Sequence, residues 1–106
     1  MVSIAEFKNI ELKIAQIKEV QDHPNADKLY VITIDLGDKT KQIVAGIRAA
    51  YTKEELVGRQ VVVVDNLEPA ILRGIESQGM LLAAQDEQGI CIISPLRSVK
   101  PGSIVK

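Results

Sequence analysis

Apolar residues in this chain recur at every second position, and never for long. Tyr30, Ile32, Ile34 and Leu36 share one face of a segment running from Leu29 to Leu36, and Ile10, Leu12 and Ile14 alternate with Glu11 and Lys13. A period of two marks a strand with one buried face. After Ile14 the alternation loses phase at Ala15–Gln16 and resumes at Ile17 and Val20. A one-residue slip exchanges the two faces, so a β-bulge is expected there, bending a long first strand. Gly37-Asp38 reads as a turn into a third strand, Lys41 to Ala45, and Gln60 to Val64 as a short apolar fourth. Met80 to Ala84 and Ile90 to Ile93 read as a hairpin across residues 85–89, and residues 66–79 as a long loop.

Two short helices interrupt this pattern. Ser3 with Glu6, and Thr52 with Glu55, have capping-box spacing, and Gly58 is placed to stop the second helix. Three strands, a helix and further strands is the order of an OB-fold, a five-stranded Greek-key barrel. An SH3-like barrel with a helical insert shares the periodicity. The 106 residues make one domain, 1–106, and 46% hydrophobic content with a net charge of −1 suffices for a core without staples. Apolar runs such as Val61 to Val64 are too short to cross a bilayer, and the acidic N-terminal turns do not form a signal peptide. The single Cys91 admits no internal disulfide and fits a reducing cytoplasm.

Chemistry is sparse. One histidine, His23, and one cysteine, Cys91, provide no metal-ligand spacing and no nucleophile–base pair, so no cofactor and no enzymatic activity are expected. His23, in a loop before Pro24, reads as a structural turn residue, and Cys91, between Ile90 and Ile92, as buried filler. Two loops are richer than turns require. His23 to Tyr30 offers Asn25 and Lys28 where an OB-fold binding loop lies, although an Asx turn and a solvated lysine are the plainer reading. Residues 66–79 offer Arg73 for forked phosphate contacts, Ser77 and Gln78 as donors, and Gly79 for close backbone approach, with Met80 beyond. Against these, Glu76 can simply pair with Arg73, and Met80 can simply pack in the core. With 13 Lys and Arg against 14 Asp and Glu, any affinity for phosphate must come from a local patch. Only Phe7, Tyr30 and Tyr51 are aromatic, too few for a base-stacking platform. Folded RNA, met through phosphates and 2′-hydroxyls, suits such a surface better than single strands.

HPNADKLY (23–30), KQIVAGI (41–47), the stretch from Glu55 to Ala84 containing RGIESQGMLLAA, and PGS (101–103) resemble the tRNA-binding-domain family. That family includes the C-terminal domain of methionyl-tRNA synthetases, stand-alone dimeric tRNA-binding proteins and EMAP II-like factors. The resemblance implies an OB-fold with a short helix between strands three and four and short terminal extensions. It also implies non-catalytic, shape-selective binding of tRNA, a homodimer, and work beside a methionyl-tRNA synthetase catalytic region. It carries the binding patch onto Asn25, Lys28, Arg73, Ser77, Gln78 and Met80; charge and position add Lys41 and Arg48. The contact of such a dimer is expected at the N-terminal helix and residues 93–105. Glu68 stands where relatives often carry lysine. A protein-interaction or chaperone-like module is the alternative on the same fold, and the HPNADKL form of the first loop favours tRNA.

Overall fold

The computed structural model describes all 106 residues. Its elements in chain order are α1 (Ile4–Phe7), β1 (Leu12–Asp22), β2 (Tyr30–Asp35), β3 (Thr40–Ala45), α2 (Lys53–Leu56), β4 (Gln60–Val64), β5 (Ala70–Leu72), β6 (Ile75–Ser77), β7 (Met80–Leu81), β8 (Ala83–Asp86), β9 (Gly89–Ile92) and β10 (Ile104–Val105). Antiparallel strands in the order β3-β2-β1-β4-β7 form a nearly closed five-stranded barrel, with α2 between β3 and β4 as an OB-fold requires.

The first strand is bent, two residues beyond the expected place. Ile17 opposes Ile34 and Glu19 opposes Thr33, so Lys18 is the extra residue. Ala15 and Ile17 face the barrel core before the bulge and Val20 faces it after. The Ile10-Leu12-Ile14 stripe therefore belongs to the outer face. Ile14 is buried there by the C-terminal segment, accepting from Gly102 N–H at 2.7 Å and donating to Ser103 O at 2.9 Å. Gly102 has φ +88°, and a Cβ there would collide with the Leu36 carbonyl, so this crossing of the β2–β3 turn admits only glycine. Buried Gln60 seals the same segment, its amide group exchanging two hydrogen bonds with the backbone of Val99.

Both capping boxes form, through Ser3 and Glu6 on α1 and Thr52 and Glu55 on α2. The Glu55 carboxyl is held below its ordinary range by its bonds to Thr52. Leu56, the one buried residue of α2, joins the fully buried Ile17, Ile32, Ile34, Ile43, Val61 and Val63. Val62 and Val64 are buried as well, on the opposite face of β4, which is why this strand has no polar alternation. The final hairpin pairs β8 with β9 from Ala83–Ile92 to Asp86–Gly89, leaving Glu87 and Gln88 as its turn. Cys91 is exposed on β9, not buried; Ile90 and Ile92 are the neighbours that pack on the core.

The stretch read as an open loop is partly a hairpin. β5 and β6 pair across Arg73-Gly74, whose φ values are +52° and +91°. Two consecutive positive φ angles are the mark of a type I′ turn, normally written Asn-Gly or Asp-Gly, so Arg-Gly gave no warning of it.

Candidate nucleic-acid interface

The two enriched loops meet. His23 is buried, and its Nδ1 accepts the Asn25 N–H at 3.0 Å. That bond leaves the proton on Nε2, which donates to Leu72 O at 3.0 Å. One imidazole thus ties the turn of the first loop to the last residue of β5. A second tie runs from the hairpin tip, where Arg73 Nη2 donates to Asn25 O at 3.1 Å. Arg73 makes no bridge to Glu76.

Arg48 braces the first loop. It lies over the Tyr30 ring at 6.0 Å, reaches Ala26 O at 3.4 Å, and pairs with Asp22 at 3.5 Å. Lys28 is exposed and its ammonium has no carboxylate partner within the chain.

Ser77 and Gln78 have structural work. Ser77 is buried; its Oγ accepts from Val44 N–H and donates to Gly79 O, both at 2.9 Å. The Gln78 side-chain Oε1 accepts from Gln42 N–H at 2.9 Å, while the Gln78 backbone N–H donates to Gln42 O. These side chains stand in for ladder bonds along the open edge of β3, closing the barrel seam and fixing the hairpin across it. Met80 is 48% exposed and does not pack in the core.

Lys41 is committed elsewhere. Its ammonium lies 2.7 Å from Asp65 Oδ1 and donates to Asp65 O at 2.8 Å. Lys13 and Lys39 also reach this carboxylate, at 2.8 and 3.4 Å, and its side chain is only 4% exposed. Burial pushes the Asp65 carboxyl up, but the bonds and charges of Lys13 and Lys41 outweigh it and hold it well below the usual range. The Lys13 ammonium is raised in turn by its bond to Asp65. Glu11 and Asp38 also act on Lys13, so the three lysines are balanced by three carboxylates here.

The patch residues thus fall into groups. Asn25, Lys28, Arg48 and Arg73 gather where the loops touch, Gln78 and Met80 lie along the hairpin base, and Ser77 and Lys41 are internal fastenings. His23 as a fastener between loops was not legible beyond its turn role. No three His, Cys, Asp or Glu side chains converge in a way that could hold a metal.

Residues 12–104 match the family model described as "Putative tRNA binding domain". The chain belongs to this tRNA-binding-domain family. The family is a binding domain and not a catalytic one. The chain is 54% identical over 105 residues to a methionine–tRNA ligase of Pyrococcus furiosus, covering 99% of itself and 14% of that protein. A Nanoarchaeum equitans methionine–tRNA ligase is 46% identical over 106 residues, again with 14% of its length covered. The chain superposes on a MetRS-related protein from Pyrococcus horikoshii with TM-score 0.93 at 32% identity, covering 100% of this chain and 98% of that one. A CsaA chaperone protein from Picrophilus torridus gives TM-score 0.93 at 28% identity, with 100% of both chains covered. No helix of the domain is long and apolar enough to cross a membrane.

Proposed function

We propose that this domain binds tRNA by shape, in the cytoplasm, and lends that affinity to a methionyl-tRNA synthetase catalytic region or acts as a stand-alone homodimer. The observation that carries the reading is the fastening of the first loop to the β5–β6 hairpin through His23 and Arg73, in a chain of this family. Two segments distant in sequence are held as one surface, with Lys28, Arg48 and Arg73 along it. Phosphate contacts from the two arginines and Lys28, and polar contacts from Asn25 and Gln78, position the RNA, with Met80 as an apolar contact. Ser77 and Lys41 hold the frame.

So few cations per chain gain from doubling, because two linked sites multiply into avidity. Phe7, Ile10, Leu12, Ile104 and Val105 line a groove of about 450 Å3 between α1 and β10. Exposed Ile4, Ile93 and Leu96 extend the apolar surface of these two terminal segments, which we assign to the two-fold contact. The experiment is sedimentation of the free domain and of its tRNA complex: a two-chain particle carrying tRNA fits the proposal, and a monomer that binds no tRNA removes it. The likeness to a chaperone favours a second reading, a protein-binding module, and that reading predicts peptide binding with no tRNA affinity.

A further inference from the structure

The β5–β6 hairpin roofs a recess of about 250 Å3, walled by Val44, Ala70, Leu72 and Met80, with Leu67, Ser77 and Gly79 completing it and Glu68 at its rim. This is below the ~300–1,000 Å3 of sites for drug-sized ligands and suits one flat heterocycle. The walls are aliphatic, so they contact the faces of a ring without competing for its edge. The edge meets Glu68. Its carboxylate is exposed and has no hydrogen-bond or ion-pair partner within the chain. Gly79 N–H, on the recess wall, also takes no internal partner.

We infer that this recess takes a single unstacked guanine of the bound RNA and that Glu68 selects it. The inference rests on the tRNA-binding reading above. An ionised carboxylate only accepts, through two oxygens. Guanine presents two adjacent donors, the ring N1–H and the N2 amino group, beside the O6 acceptor. Adenine and cytosine each set one amino donor next to a ring nitrogen that repels a carboxylate, and uracil flanks its one N–H with two carbonyls. Guanine alone matches two oxygens at once and leaves O6 for a backbone N–H such as that of Gly79. RNA recognition by splayed bases read on their Watson–Crick edge is the general pattern. Glu68 thereby acquires a specificity role.

The test is a titration of the intact, isotope-labelled chain with GMP, IMP, AMP, CMP and UMP, followed by amide chemical shifts, with tRNA binding measured on the same samples. GMP should move the amides of Glu68, Leu72, Gly79 and Met80 and bind about tenfold or more tighter than UMP, the scale of one good bidentate pair. IMP, lacking the 2-amino group, should fall between them. Glu68→Gln should remove the preference while the rest of its spectrum stays that of the wild type, and Glu68→Lys should tighten all four common nucleotides equally. Equal shifts from every nucleotide, or shifts away from the recess, would overturn the assignment even in a chain that binds tRNA. GMP in the recess of a chain that ignores tRNA would keep the guanine site and overturn the tRNA reading instead.

Discussion

His23 Nε2 donates to the carbonyl of Leu72 across 3.0 Å, joining two segments 49 residues apart in the chain. Its other nitrogen is already occupied by Asn25 N–H, so the ring has one tautomer and no spare valence. His23→Ala empties a buried position and leaves the part-buried Leu72 carbonyl and Asn25 N–H without these partners. The expected cost is about 1–3 kcal/mol of stability, with faster amide exchange confined to the first loop and the β5–β6 hairpin. Denaturant unfolding and hydrogen exchange measure both. Uniformly faster exchange across the barrel would contradict the fastening role.

Arg73 and Lys28 act on phosphate in this account. Arg73→Ala and Lys28→Ala should each weaken tRNA binding at all sequences alike and lower the salt dependence by about one counterion. Circular dichroism and the melting curve should barely change for Lys28→Ala. If both variants bind like wild type at low salt, the patch is elsewhere.

Asp65 sets the acid limb of stability. Its folded carboxyl titrates below the ordinary value of 3.8, so the stabilisation is fully present above about pH 4. It is lost as pH falls from there toward the folded value. Lys13 sets a matching alkaline limb, present below its ordinary 10.5 and lost as pH rises beyond it. Asp65→Asn should destabilise the domain by about 2 kcal/mol at neutral pH, less than the ~3–5 of a fully buried pair because the lysines are partly solvated. The gap between variant and wild type should close below pH 3, which urea melts across pH will read.

The terminal segments carry the proposed two-fold contact. Ile4→Glu with Phe7→Glu places charges on the exposed apolar side chains of α1 and should give monomers that keep the barrel. Sedimentation equilibrium decides, and an unchanged dimer would move the interface.

Much of the fold was legible because burial leaves a period in the sequence. The strand from Tyr30 to Leu36, both capping boxes and the helix between β3 and β4 follow from residue pattern alone. The bulge was legible as a slip in phase but not in position. The outer stripe at Leu12 and Ile14 is as apolar as an inner one, since the C-terminal segment covers it. Cys91 misled for a related reason: in a short hairpin packed by alternate residues, one apolar-looking position in two faces water. The β5–β6 hairpin escaped because its turn places an arginine at positive φ. Ser77 and Gln78 look like ligand-binding residues by type, yet their first partners are the β3 backbone groups that the barrel leaves open. Such bonds between distant segments have no local signature.

The most direct measurement is fluorescence anisotropy of labelled tRNA against the domain across a salt series, with unlabelled single-stranded RNA as competitor. The account predicts binding that falls steeply with salt and survives the single-stranded competitor. No binding at low salt, or full displacement by the single strand, would contradict it.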